Sequence, residues 1–255
     1  MPDLPSDQPV TAGGRPLTIH DVVEKRLMRL VFQPLYDIQE RRVFAYEALV
    51  RGTTQTFPGP AEILKGAVEA DLIGDLGRIL REMAIEGCPD TPLFLNIHPG
   101  ELNHGLLVRP DDPIYFHDQP IFIEITESVP LTHFRWCNEV LTEMRSRDIM
   151  LAVDDLGSGY SNLKYIADLQ PEVVKLDMAL IRDLDTTPRK MILVKAIVRL
   201  CVDLGARVVA EGIETLGEYQ AVVDTGAHLA QGYFLARPAF PPPEVDEATL
   251  GIPKA

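Results

Sequence analysis

Cysteine is scarce. Cys88, Cys137 and Cys201 are the only three among 255 residues, and none belongs to a Cys-x-x-Cys pair. An odd, scattered set argues against a disulfide framework or a cysteine zinc site and fits free thiols in a reducing compartment. Positive charge is also short: 24 Lys and Arg against 38 Asp and Glu leave a formal charge of −14. The chain therefore lacks the basic footprint of a general DNA or RNA binder. A small phosphorylated ligand is still compatible with that balance, because a few arginines and a metal can supply a positive field locally. Long apolar runs are missing too. The most apolar helical stretch, Met191 to Leu204, is interrupted by Lys195, Arg199 and Asp203, and is too short and too charged to span a bilayer. No basic region followed by an apolar core opens the chain, so a secretory signal is not expected. These absences predict a cytoplasmic protein that is not embedded in a membrane. None of the six histidines is spaced as His-x-x-x-His, and a zinc site at His98 and His104 is a weaker reading than ordinary loop histidines.

What remains is an apolar fraction of 46% with 24% charged residues, enough for a sizeable core in one large domain or two small ones. Residues 1–16 are rich in Pro, Gly and Asp and are expected to form a loose tail. Helical spacing runs from Ile19 to Leu30, with Thr18 as N-cap. Strand-like runs follow at Leu30–Gln33, ended by Pro34, and at Arg42–Val50, and the polar turn between them predicts a hairpin. Further strands are expected at Leu93–Ile97, Ile121–Ile125, Ile149–Asp154, Val173–Leu176, Arg207–Glu211 and His228–Gln231. Helical stretches lie at Ala61–Glu86, punctuated at Gly74, and at His133–Arg147, Pro188–Leu204 and Leu216–Asp224, with a short one near Glu101–Leu107. Strands alternating with helices predict a parallel sheet. Eight of them predict a (β/α)8 barrel of the triosephosphate-isomerase type with one antiparallel strand near the N-terminus; a doubly wound open sheet is the alternative. The barrel is assigned to residues 17–243 and a second tail to residues 244–255, the proline-rich end from Pro238 being read as loose.

In such barrels the reactive side chains come from the C-terminal ends of the strands. Those ends carry Glu47, Asn96, Glu124, Asp154 with Asp155, Lys175, Glu211 and Gln231. Taken alone, Asp154 and Asp155 are equally well explained as a helix cap. Glu in Phe-Ile-Glu-Ile and Lys in Val-Val-Lys-Leu are harder to dismiss, since charged groups are seldom buried unless paired or bound to metal. Together the set describes a hard-metal site. Two cations there would favour in-line phosphoryl displacement and lower the pKa of a water. Lys175 is placed to orient that water, and Arg51 to reach a phosphate as a two-donor fork. Metal-assisted phosphodiester hydrolysis is the reaction class this chemistry supports. The Gly157-x-Gly159 pair fails as a dinucleotide fingerprint because Asn162 stands where a third glycine is needed.

Glu47-Ala-Leu-Val-Arg51 resembles the signature of EAL domains, the bacterial cyclic-di-GMP phosphodiesterases. The likeness continues in Gln33-Pro34, Leu95-Asn-Ile97, Glu124-Ile-Thr-Glu127, Asp154-Asp-Leu-Gly-Ser-Gly-Tyr160, Lys175-Leu-Asp177, Glu211-Gly-Ile-Glu-Thr215 and Gln231-Gly-Tyr-Phe…Pro238, all in family order from about Leu17 to Pro238. The resemblance implies hydrolysis of cyclic-di-GMP to linear 5′-pGpG with two Mg²⁺ or Mn²⁺ ions. It assigns Glu47, Asn96, Glu124, Asp154, Asp155 and Glu211 to the metals, and Lys175 to the attacking water. Glu127 would steady the loop after Asp155, Gln231 would sit at the edge of the metal shell, and Gln33, Leu49, Arg51 and Pro238 would contact the dinucleotide. A homodimer built through the loop after Asp155 and nearby helices, and a regulatory protein partner, are further expectations. His98, where the family commonly has Ser, and Leu156, where it has Phe, are departures that remove no metal ligand. A barrel that binds cyclic-di-GMP without cleaving it is the rival reading, and an interaction module is a third.

Overall fold

The computed structural model describes residues 16–103, 109–126, 134–157 and 163–250. Eight strands close into one barrel in sequence order: β1 (Met28–Asp37), β2 (Arg42–Gly52), β3 (Leu93–Asn96), β4 (Ile121–Thr126), β5 (Ile149–Leu156), β6 (Val173–Leu176), β7 (Arg207–Ala210) and β8 (Leu229–Ala230). β1 runs antiparallel to both neighbours, and every other pairing is parallel. The helices are α1 (Ile19–Glu24), α2 (Pro60–Glu69), α3 (Ile73–Gly87), α4 (Pro99–Asn103), α5 (Phe134–Arg145), α6 (Lys164–Leu169), α7 (Met178–Ile181), α8 (Pro188–Asp203) and α9 (Leu216–Thr225).

Several boundaries differ from the expectation. The first helix stops at Glu24 and not at Leu30, because Arg26 takes a left-handed conformation (φ 49°) that turns the chain into β1. The break between α2 and α3 comes at Asp71 (φ 56°), whereas Gly74 lies inside α3. Pro34 does not end β1. It pairs with Tyr46 in mid-strand, where alternation turns its missing N–H to the same side as the Phe32 N–H, away from β2. That side is met by Ala239, whose carbonyl accepts from Phe32 N at 2.8 Å, so no ladder bond is lost. The same contact shows that the proline-rich end lies against the barrel. Phe240 tilts against the Phe32 ring, Tyr46 Oη donates to the Pro243 carbonyl at 3.0 Å, and Leu250 is buried.

The barrel interior explains why the functional residues lie where they do. Its floor is a layer of Leu35, Ala45, Phe94, Phe122, Ala152, Val173, Val209 and Leu229, one from each strand, with Phe94 and Phe122 stacked at 4.3 Å. Strand side chains repeat with period two. One step above this floor, on the same face, come Gln33, Glu47, Asn96, Glu124, Asp154, Lys175, Glu211 and Gln231. In the antiparallel β1 the step runs backward, from Leu35 to Gln33. Apolar packing thus fixes the height of all eight polar side chains at once.

Candidate active site

Lys175 is the centre of the mouth. Fully buried, its Nζ lies 2.6 Å from Glu124 Oε1, 2.7 Å from Glu211 Oε1, and 3.3 Å from both Glu47 Oε2 and Asp154 Oδ1. Glu47 is held on both oxygens: Asn96 Nδ2 donates to Oε1 at 2.9 Å and Gln231 Nε2 to Oε2 at 2.7 Å. Gln33 Nε2 donates to the Ala236 carbonyl at 3.3 Å.

Period two would send Asp155 to the opposite face from Asp154. The pairing of β5 with β6 slips between Val153 and Leu156, and Asp155 adopts φ 60°. Asp tolerates this left-handed region better than most residues, and a bulge re-aims a side chain. Carboxylate oxygens of Asp154, Asp155 and Glu211 consequently all lie within 4.8 Å of one another. Two adjacent aspartates reach one site because the strand is irregular there.

The electrostatics follow from burial with too few cations. Burial, the charges of Glu47 and Asp154, and only partial relief from Lys175 raise the Glu124 carboxyl well above its ordinary range. Glu211 is pushed up to about 8 by burial, with Lys175 opposing and Asp154 and Glu47 adding to the rise. Asp155 is pushed up to about 6 by burial and by Asp154. Burial acts on Glu47 in the same sense, but Lys175 and the bonds from Gln231 and Asn96 outweigh it and leave it lowered. Burial would lower Lys175, yet the surrounding carboxylates hold it well above the ordinary lysine range.

The donor set fits divalent cations. All candidate ligands are oxygen donors, which suits Mg²⁺ or Mn²⁺. Both Glu124 oxygens are buried, and the Lys175 ammonium, 2.6 Å from Oε1, is the one polar partner that the described residues give them. One ammonium shared among four carboxylates leaves this buried carboxylate under-compensated, and a further cation would relieve it. Five carboxylates around one ammonium carry a formal charge of −4 when all are ionised, which two divalent ions would neutralise.

A cleft of about 320 Å³ opens over this centre, lined by Gln33, Leu49, Asp155, Glu211, Gln231 and Tyr233 among others. Arg51 instead faces a neighbouring cavity of about 400 Å³ whose wall includes Glu47 and Asn96, and its guanidinium donates to the Val50 carbonyl. Pro238 lies in the segment that carries Ala236 to Gln33 and Ala239 to Phe32. Glu127, and the Ser158–Gly159 part of the loop after Asp155, fall outside the described residues. Tyr233 was missed by sequence reasoning; it is about half exposed at the lip of the cleft, with the Arg237 guanidinium 4.3 Å over its ring. Also missed was a buried group of Arg81, Glu101 and Asp112 beside β3.

A family model described as EAL domain matches residues 18–238. A cyclic di-GMP phosphodiesterase of Pseudomonas aeruginosa is 32% identical over 225 residues, covering 83% of this chain and 38% of the relative. The signaling protein YkoW of Bacillus subtilis is 26% identical over 251 residues, covering 93% and 31%. The chain therefore spans about a third of the length of these relatives. Among solved structures, BlrP1 of Klebsiella pneumoniae in complex with manganese and cyclic di-GMP superposes with a TM-score of 0.75 at 30% identity, covering 86% of this chain and 58% of that one. An EAL domain protein of Listeria monocytogenes gives 0.74 at 26%, covering 90% and 94%.

Proposed function

Because the chain belongs to the EAL domain family, we propose that it is a metal-dependent phosphodiesterase that hydrolyses cyclic-di-GMP to linear 5′-pGpG. The observation that carries this reading is the complete ring of donors at the barrel mouth: Glu47, Asn96, Glu124, Asp154, Asp155 and Glu211 around one buried ammonium. These six residues would hold two Mg²⁺ or Mn²⁺ ions. When bound, the ions supply positive charge to the phosphodiester and bring the pKa of a water toward neutrality.

The protein's own groups do the rest. Lys175, fixed by four carboxylates, donates a hydrogen bond that orients the attacking water. Gln231 and Asn96 hold Glu47 at both oxygens, so that ligand loses little freedom when it binds. Gln33 and Leu49 line the cleft and seat the dinucleotide, Pro238 packs at its edge, and Arg51 offers its guanidinium to a phosphate. Glu127 is assigned to steadying the loop after Asp155. As water adds to phosphorus, the bond to the 3′ oxygen breaks. The water gives up a proton, the leaving oxygen takes one, and a linear dinucleotide with a 5′ phosphate results.

Incubation with cyclic-di-GMP and Mg²⁺ or Mn²⁺ should yield pGpG, and Glu47→Ala or Asp154→Ala should abolish the yield. Binding of cyclic-di-GMP without turnover under either metal would make the protein a receptor and refute the enzymatic reading. A homodimer, a regulatory protein partner and a cytoplasmic location belong to the same proposal. No helix among the described residues is long and apolar enough to cross a membrane. A monomeric mass at micromolar concentration would refute the dimer.

A further inference from the structure

Outside the barrel, beside β3, lies a chain of buried charges that the proposed chemistry does not use. Arg81, on the inner face of α3, has almost no exposure, and neither do Glu101 in α4 or Asp112 ahead of a short 3-10 turn at Pro113–Phe116. Arg81 Nη1 donates to Glu101 Oε2 at 2.5 Å. Its Nε and Nη2 grip the Asp112 carboxylate at 2.7–3.2 Å. Buried ions are expensive, and an apolar trio of like volume is often as stable. Arg81, with both partners, on a helix face otherwise formed by Ile73, Leu76, Gly77 and Ala84 calls for a use.

The far end of the chain supplies one. Glu101 Oε1 accepts the His98 N–H at 3.1 Å, and His98 Nδ1 accepts the Gly100 N–H at 3.0 Å. These two bonds close the first turn of α4 and set where the backbone leaves β3. Asn96, which holds Glu47 and is assigned to the metals, stands two residues before His98. Gly77 is part of the same device: a Cβ there would lie 1.9 Å from Glu101 Oε2, so only glycine lets the carboxylate reach Arg81.

We propose that Arg81 and Glu101 are positioning residues that aim Asn96 at the metal site through the His98 turn. This rests on the metal-site reading above and is tested so that the two can fail separately. Partners that orient a ligand in this way typically change metal affinity about 10–100-fold, and the two-residue offset from Asn96 places the expectation at about tenfold. Mn²⁺ binding to the whole chain is measured by loss of the free-ion paramagnetic resonance signal. Arg81→Met should weaken binding about tenfold, with Arg81→Lys, which keeps the charge but not the fork, in between. In an Asn96→Ala background, Arg81→Met should change Mn²⁺ affinity less than about twofold, because the residue it acts through is gone. Multiplicative losses in the double variant, or unchanged Mn²⁺ affinity in Arg81→Met, would overturn the proposal. If Arg81→Met does not fold, Gly77→Ala displaces Glu101 while retaining every charge, and it should show the same dependence on Asn96. A wild-type protein that binds Mn²⁺ but does not hydrolyse cyclic-di-GMP would sink the enzymatic reading while leaving this cycle decisive.

Discussion

Replacing Lys175 by Met keeps an unbranched side chain, one atom shorter, and removes its charge. In the metal-free protein that charge is shared by Glu47, Glu124, Asp154 and Glu211, all within 3.3 Å. Removing one partner of a buried ionic group costs about 3–5 kcal/mol. Here the lower end applies, because the orphaned carboxylates can take up protons; Glu211 is already pushed up to about 8. At roughly 2–4 °C per kcal/mol for a chain of this size, a loss of about 3 kcal/mol lowers the unfolding midpoint by about 6–12 °C in chelator. Added Mn²⁺ should then reverse most of the gap. Saturating Mn²⁺ stabilises both proteins, so the gap closes only by the difference in affinity: a more negative variant site that binds about 100-fold more tightly regains about 2.7 kcal/mol. Calorimetric scans of both proteins, in chelator and in saturating Mn²⁺, read this directly. Turnover should not recover with stability, since losing the group that orients the water costs about 10²–10⁴-fold. An equal gap with and without Mn²⁺ would refute the idea that ammonium and metals serve the same carboxylates.

Other consequences lie at separate places. Arg51→Ala should raise KM for cyclic-di-GMP about 10–100-fold with a smaller effect on kcat, from the loss of a charge-assisted contact of about 1.5–3 kcal/mol; an unchanged KM would remove Arg51 from the phosphate. Glu218 accepts the backbone N–H groups of Asp183, Glu214 and Thr215, so Glu218→Ala should cost about 1–2 kcal/mol in denaturant titrations, and no loss would show those bonds to be dispensable. His228 Nδ1 accepts the Val208 N–H at 3.0 Å, and burial with Arg207 nearby lowers its pKa, against a smaller pull from Asp37. Above the unfolded value near 6.5 the ring is neutral in both states and adds no pH dependence. As pH falls through 6.5 the unfolded chain takes up a proton that the folded chain resists, and stability is lost until the folded pKa is passed. His228→Asn, whose amide oxygen accepts without titrating, should flatten this acid slope; an identical slope would exclude His228 as its source.

The sequence announced the barrel and its strand ends because both rest on local signals. Apolar runs bounded by Pro, Gly and Asp mark strands, and a Glu or Lys inside such a run is conspicuous. Less legible was anything that depends on a neighbour far along the chain. Pro34 was read as a stop because the sequence does not show that β1 borrows Ala239 on that side. Arg26 and Asp71 broke helices through left-handed backbone, which helical spacing does not register. Nothing local shows that Asp155 will turn back toward Asp154, since the slip in pairing with β6 belongs to two strands together. Arg81 left a trace, standing four residues after Gly77 and three before Ala84 on the buried face of α3. Its partners, 20 and 31 residues away, were not visible there.

The charge balance acquires its meaning at the cleft. Glu47, Asp155, Asp177, Glu211 and Glu214 all line it, and among the described residues no lysine or arginine does. A phosphodiester approaching such a wall is repelled, and Lys175 is already committed beneath it. In a protein of formal charge −14, long-range steering works against an anionic substrate as well. Cations at the Asp154–Asp155–Glu211 group would therefore answer two requirements together: they would make buried carboxylates tolerable, and they would turn a repulsive mouth into one that a phosphate can enter. The apolar floor of Phe94, Phe122 and their neighbours closes the barrel below the site, so the cations and the phosphate must meet at the open face above it.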